Sequence, residues 1–317
     1  MASKQSIQIG ALRADELEEA GRIVRVAFGT FLLLPNPLEF MADRDFVTPR
    51  WHARNTKLLA ARDNGKLIGS NMATRWGSFA FFGPLTVLPE YWNRGVAQQL
   101  LAATMKVFDR WGVRRSALFT FPHSPRHVGL YQKFGYWPGS LTALMKRAPA
   151  PPEWALVESV KVPVLLSSLT KKEQEQAIAA CAKLTNTLER GLDLADEMRV
   201  VRSQRIGEVV LIEGRRTLDA FAVCMHGAGS EGGQKTCYVK FAAARSGERF
   251  ERLLDAIDAL ALAQDSEVEA GVSLACKDAF ERLRAHGYRV VTNGVAMQKP
   301  HGDGFNRAAA YVLNDWR

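Results

Sequence analysis

LTVLPEYWNRGVAQQLL, residues 85–101, is the stretch on which the reading of this chain turns. Leu85 to Leu88 is an apolar and β-branched run that reads as the end of a buried strand, and Pro89 stops it. Gly95 and small Ala97 then open a segment with helical periodicity at Val96, Leu100 and Leu101. A strand, a glycine turn and a helix start aim several free N–H groups, and the positive end of the helix dipole, at one point. That combination is an anion site, and the anion expected there is a phosphate.

The flanking sequence places this turn in an α/β fold with a mixed sheet. Downstream, the helix runs to about Trp111 and ends at Gly112; Ser116 to Phe121 is a strand that exits at Pro122 and Pro125. Val128 to Phe134 is a short helix stopped by Gly135, and Leu141 to Lys146 a closing strand. Upstream, Ile7 to Leu12 is a strand and Asp15 to Phe28 an amphipathic helix. Lys57 to Arg62 and Leu67 to Thr74 are strands joined through Asn64-Gly65, a hairpin turn signal. Ser78 to Leu88 forms the next strand, interrupted at Gly83-Pro84. The glycine turn thus falls at a strand's carboxyl end, where open α/β sheets bind ligands. Residues 30–56, with Phe40, Asp43, Asp45, Trp51, His52 and Arg54 among three prolines, are too irregular for one element and are expected to wall a substrate site.

Composition narrows the partners. The chain has 317 residues, 47% hydrophobic and 24% charged, which suits two soluble globular domains and leaves no membrane-length apolar run or secretory leader. A cytoplasmic location is expected. Cys181, Cys224, Cys237 and Cys276 form no C-x-x-C pair and have no His at metal spacing, so buried reduced thiols are expected and no metal. The net charge of +9 is uneven: residues 1–150 hold 20 Lys and Arg against 10 Asp and Glu, and residues 151–317 hold 22 against 23. The basic residues of the first half are dispersed and no nucleic-acid motif is present, so a phosphate-rich ligand fits better than nucleic acid.

APAPP at 148–152 reads as a semi-rigid linker. Beyond it the chain repeats in a single register of 152 residues, which pairs Val87 with Val239, Gly95 with Gly247, Leu101 with Leu253, Gly135 with Gly287, Tyr136 with Tyr288 and Met145 with Met297. The same register sets Tyr131 against Leu283, Ser124 against Cys276, Trp92 against Ala244, Val96 against Glu248 and Ala97 against Arg249. The fold is expected twice and the phosphate turn once, with Glu248 and Arg249 crowding the second turn.

Residues 85–101, followed by HSPRHVGLYQKFGY at 123–136, resemble the acetyl-CoA signature of the GNAT superfamily of N-acetyltransferases. The resemblance covers roughly residues 6–147, and the repeat makes the chain similar to tandem GNAT proteins with one degenerate copy. It implies a catalytic acetyl-CoA-binding domain at 1–147, a Pro-rich linker at 148–155 and a degenerate GNAT-like domain at 156–317. The family loop R/Q-x-x-G-x-G/A, which wraps the coenzyme A pyrophosphate, corresponds to Trp92-Asn93-Arg94-Gly95-Val96-Ala97. Trp92 departs from the pattern, and Arg94 offers replacement charge. The resemblance further implies that the backbone of Leu85, Thr86 and Val87 holds the thioester and pantetheine, that Ser124 stands where an Asn commonly touches the pantetheine, and that Tyr131 is the general acid.

That chemistry requires a neutral amine, an oxyanion held by backbone N–H groups and a proton for the leaving thiolate; a tyrosine near pKa ~10 can serve a thiolate near ~8.5. His123, His127, His52, Asp43 and Asp45 are candidate bases, and the resemblance also implies the alternative of a relay through water with no side-chain base. No G-x-G-x-x-G and no Walker loop is present. Two functions remain open: an acetyl-CoA-dependent N-acetyltransferase acting on a primary amine of a small molecule or peptide, and a non-catalytic acyl-CoA-binding regulatory protein. No nucleic-acid or membrane partner is expected, and a homo-oligomer stays open.

Overall fold

The computed structural model describes residues 7–150, 163–215 and 217–317. Asn64 and Gly65 both take positive φ, +50° and +82°, the turn whose twist matches paired strands, and join β2 (Thr56–Asp63) to β3 (Lys66–Trp76). β1 (Gln8–Ala11) pairs antiparallel with β2. Helix α1 (Leu17–Phe31) buries Ala20, Ile23, Val24 and Ala27, one stripe at helical spacing. A short helix, α2 (Thr48–His52), precedes β2.

The strand expected over 78–88 is two strands. β4 (Phe79–Phe82) pairs with β3 and, in parallel, with β6 (Arg115–Thr120), but only from Phe79↔Arg115 to Phe81↔Ala117. After the Gly83-Pro84 kink, β5 (Thr86–Val87) pairs with β3 alone. Proline has no N–H to continue a ladder, so the kink is where the sheet parts between β5 and β6. α3 (Val96–Trp111) ends at Gly112, whose φ of +63° lets Val113 N–H reach the Phe108 carbonyl at 3.1 Å. α4 (Pro125–Gln132) begins three residues earlier than expected because Pro125 takes the first helical position, where no donor is missed. β7 (Trp137–Arg147) follows.

The second half runs β8 (Val164–Leu165), α5 (Lys171–Leu188), α6 (Ala195–Gln204), β9 (Gly207–Glu213), β10 (Leu218–Gly227), β11 (Gly233–Ala244), α7 (Gly247–Ala263), β12 (Glu267–Ser273), α8 (Lys277–Ala285), β13 (Arg289–Lys299) and β14 (Tyr311–Leu313). β7 and β13 begin and end 152 residues apart, as the sequence register requires. The expected linker lies, from residue 151 on, outside the described residues.

The Leu141–Lys146 segment does not close its own half. All strands among the described residues belong to one sheet, in the order β1-β2-β3-β4-β6-β13-β7-β12-β11-β10-β9-β8, with β5 against β3 and β14 against β11 off that path. β13 of the second half pairs with β6 of the first, and β7 of the first pairs with β12 of the second. The two exchanged strands pair with each other, and Thr142 stands opposite Gly294, its own counterpart in the repeat, so a pseudo-twofold axis passes through that pair. One core contains Phe79, Phe81 and Ala143 together with second-half side chains; the other, behind the glycine turn, contains Phe82, Leu118 and Tyr136 with Val295 and Met297 of β13.

Charge also ties the halves. Arg50 grips both oxygens of Glu231 through Nε and Nη2 at 2.7 and 2.8 Å, and Lys240 reaches the same carboxylate at 2.7 Å. Arg44 makes a two-pronged contact with Glu269, at 3.2 and 2.9 Å. Burial works against ionising Glu231, but Arg50 and Lys240 outweigh it and hold the carboxyl at about 2. No helix among the described residues is long and apolar enough to cross a membrane.

Candidate active site

Where β5 leaves β6, a cleft of about 480 Å³ opens between the start of α3 and one face of α4. Leu85, Val87, Trp92, Asn93, Gly95, Val96, Ala97 and Tyr131 border it, as do Gln98, Arg126, His127 and Lys133. The β3 ladder explains the choice on β5. Ser70 lies opposite Thr86, and Leu88 N–H goes to the Ile68 carbonyl at 2.9 Å, so alternate residues Leu85 and Val87 turn their backbone groups toward the gap. Thr86 is therefore spent on β3: it is buried, and its hydroxyl lies 3.3 Å from that of Ser70.

The turn itself presents donors. Asn93 and Gly95 have φ of +63° and +76°, and no side chain caps the first amides of α3. Free amides at a helix N-terminus form an anion cradle, and Gly95 allows the chain to turn sharply beside it. Trp92, the departure from the family loop, folds back so that its Nε1–H donates to the Val87 carbonyl at 2.8 Å; that oxygen keeps one lone pair toward the gap. Arg126 stacks over the Trp92 ring at 4.9 Å. Arg94 stacks over Tyr91 at 5.1 Å and does not border the cleft.

Tyr131, which also borders the cleft, is buried on α4, against Phe82 at 5.8 Å. Burial pushes its hydroxyl up to about 12, although a hydrogen bond with Thr120 pulls the other way. Ser124 does not border the cleft; its Oγ lies 2.6 Å from His127 Nδ1.

The wall expected over 30–56 is mostly a clasp between the halves. Asp45 Oδ1 accepts the Val47 and Thr48 amides at 2.8 and 2.9 Å, starting α2, while its own amide donates to the Ser230 carbonyl. Asp43 packs against Gly233. Trp51 stacks edge-on with His52 at 4.9 Å, and Arg54 is exposed. None of these borders the cleft, nor does Phe40, which stacks on Phe28 at 5.1 Å. His123 is exposed and lies 6.2 Å from the Phe31 ring. Sequence reasoning missed Gln98, Arg126 and Lys133 as lining residues; the available signal was proximity in the chain, since Gln98 adjoins Ala97, Arg126 adjoins His127 and Lys133 lies two residues after Tyr131.

The corresponding place in the second half is built differently. β11 runs on to Ala244, and Ser246 Oγ accepts the Arg249 amide at 3.3 Å, capping α7. The Arg282 guanidinium lies against Gly247, so close that a Cβ there would meet it at 2.4 Å. β14 pairs with β11 at Ala242↔Leu313 to Ala244↔Tyr311, and Asn314 N–H donates to Gly271 of β12 at 2.9 Å, bridging the gap between those strands. Glu248 and Arg249, expected to crowd the turn, point elsewhere: Arg249 pairs with Asp219 at 3.1 Å and Glu248 is exposed.

Residues 28–136 match the profile of the acetyltransferase (GNAT) family. This segment belongs to the GNAT family. Over more than nine-tenths of its length the chain has the fold of tandem GNAT proteins: a candidate acetyltransferase from Pyrococcus horikoshii superposes with a TM-score of 0.66 at 16% identity, covering 98% of this chain and 95% of that one. A GCN5-related N-acetyltransferase from Sphaerobacter thermophilus gives 0.59 at 13% identity, over 92% and 95%. A tandem GNAT protein from the clavulanic acid biosynthesis pathway gives 0.55 at 14% identity, over 92% and 98%. None of the curated proteins matches the sequence. At such identities the likeness to these GNAT structures is one of fold.

Proposed function

We propose that this chain is an acetyl-CoA-dependent N-acetyltransferase with one working cleft, in its first half, and that it acetylates a primary amine of a small molecule or peptide. The observation that carries this reading is a single cleft bordered both by the uncapped start of α3 and by a buried tyrosine. The anion cradle fits a pyrophosphate: the amides following Gly95 have no side-chain partner, and Arg126 and Lys133 add positive charge along the same cleft. Coenzyme A supplies an activated acyl group as a thioester. Leu85 and Val87 offer backbone groups for a strand-like contact with its arm, as β5 lacks a neighbour on that side.

Tyr131 acts by hydrogen bonding in this reading. With its hydroxyl near 12 it stays protonated throughout the neutral range, and full transfer to a thiolate near ~8.5 would cost about 5 kcal/mol. A hydrogen bond donated to a charged sulfur contributes about 1.5–3 kcal/mol without that cost. The second half is proposed not to bind the cofactor, because Ser246, Arg282 and the β14 segment take the places of cap, anion and arm. The four cysteines are unpaired and buried, in keeping with a cytoplasmic setting.

Thiol release from acetyl-CoA across a panel of primary amines tests the proposal. Wild type should turn over at least one amine, and Tyr131→Phe should lower kcat about 10–100-fold with acetyl-CoA affinity within about twofold. Tight acetyl-CoA binding with no turnover of any amine would instead identify a non-catalytic acyl-CoA-binding protein.

A further inference from the structure

His127 lies on α4 one turn before Tyr131, so the two side chains share a helix face, and both border the cleft. Ser124, the residue before α4, stands where a serine ordinarily caps a helix amide. Here the amides of His127 and Val128 bond its carbonyl at 3.1 Å, and its hydroxyl is left to hold the imidazole at Nδ1, 2.6 Å away. On the other side the Phe31 ring of α1 meets the imidazole edge-on at 4.8 Å, and Phe121 lies at 6.3 Å. The ring is thus fixed from both sides, with Nε2 as its remaining polar atom.

We propose that His127 takes the proton of the attacking amine. The proposal rests on the acetyltransferase reading and adds to it the base that the sequence leaves undecided. The amine nitrogen bonds to the acyl carbon, the carbon–sulfur bond breaks, and its electron pair leaves with sulfur, toward which Tyr131 donates a hydrogen bond. The amine proton passes to Nε2, giving an imidazolium that returns it to water or to the thiolate. The Nδ1–H must then donate to Ser124 Oγ, which sets the tautomer that leaves Nε2 as an acceptor.

The charges around the ring favour the neutral form. Burial first, and then Arg126 and His123, hold His127 below the usual histidine range. Phe31 from α1 and Phe121 from the end of β6 bring no charge; Tyr131 stays protonated, and Lys133 adds a further cation to the same cleft. A proton acceptor that is neutral at pH 7 is the form a base must have.

The test uses the full chain loaded with acetyl-CoA. Nitrogen-15 NMR of the histidines, with His127 assigned by loss of its signals in His127→Gln, should show protonated Nδ1 and bare Nε2 at pH 7.5. The opposite tautomer overturns the proposal whether or not an amine substrate has been found. Calorimetry should give His127→Gln an acetyl-CoA affinity within about twofold of wild type; a loss of tenfold or more would make the imidazole a cofactor contact and also overturn it. With any amine that wild type acetylates, kcat should fall about 100-fold in His127→Gln and the acid limb of the kcat pH profile should vanish. An unchanged acid limb refutes the role. Failure of wild type to acetylate any amine counts against the acetyltransferase reading itself, and the tautomer and the calorimetry still decide whether His127 is set up as an acceptor.

Discussion

The starts of α3 and α7 occupy the same place in the two halves and have opposite surroundings. At α3 an eight-residue path from Leu88 to Gly95 leaves β5 and presents amides that no side chain caps. At α7 the strand continues to Ala244, only Arg245 and Ser246 intervene, and Ser246 caps the helix. The cores behind these turns are alike: Leu101 and Leu253 are both buried, as are Tyr136 and Tyr288. Yet Tyr136 has a hydroxyl partner in Ser116 at 2.7 Å, while the buried Tyr288 hydroxyl has none among the described residues. Packing is kept on both sides; at these two turns the uncapped amides and the paired tyrosine hydroxyl are found only on the side with the cleft.

The comparison depends on the halves being parts of one sheet, and separating them should have the largest effect. Residues 1–150 produced alone would expose both edges of β7 and the β6 edge that β13 covers, and would lose Glu231 and Glu269 from Arg50 and Arg44. Unpaired edges and uncompensated buried charge are each strongly destabilising. We expect no cooperative unfolding transition by circular dichroism from this fragment; a cooperative transition near that of the full chain would show that β7 can close its own half.

Gly95→Asp is expected to have the next largest effect. It puts a side chain on a residue with φ of +76° and a negative charge at the cradle. Losing two charge-assisted bonds is worth about 3 kcal/mol, or about 100-fold in acetyl-CoA affinity by calorimetry. If binding survives with the variant folded, the turn is not the pyrophosphate site.

These two variants also mark how far the sequence could be read. The Asn64-Gly65 hairpin, the Gly112 stop, the α3 turn and the 152-residue register depend on short-range backbone chemistry, and each is visible in adjacent residues. The exchange of β7 and β13 is not, because the two strands are copies and nothing within either names its partner. Arg282 was equally hidden: it lies 35 residues from Gly247 in sequence and on a different helix. Asp43 and Asp45 looked like site residues because carboxylates in an irregular segment do not reveal which surface that segment will meet.

The clasp between the halves should weaken in acid. Glu231 ionises at about 2 rather than near 4.5, so the folded state binds protons more weakly than the unfolded one. Its contribution is present above pH 4.5 and is lost as the pH falls toward 2. Glu269 is held below the usual carboxylate range as well, with burial outweighed by Arg317 and Arg44. The urea midpoint should therefore drop steeply below pH 4.5, by about 3 kcal/mol of stability for Glu231 alone. In Glu231→Gln the midpoint should be lower at pH 7 and the acid slope shallower; an unchanged slope would mean that other carboxylates set it.

The smallest expected effect is the most direct probe of the comparison. Arg282 fills the space at the start of α7, and its partners Asp278 and Glu251 are largely exposed, so Arg282→Ala should cost no more than about 1 kcal/mol. Removing the guanidinium vacates the anion's place but leaves Ser246 on the Arg249 amide and Asn314 bridging to Gly271. An anion site needs its amides free, and a pantetheine arm needs an open strand edge, so one vacated position of three is not enough. Calorimetry on this variant should still give one acetyl-CoA per chain. Two per chain would mean that a single arginine, rather than the rebuilt strand and cap, is what separates the two halves.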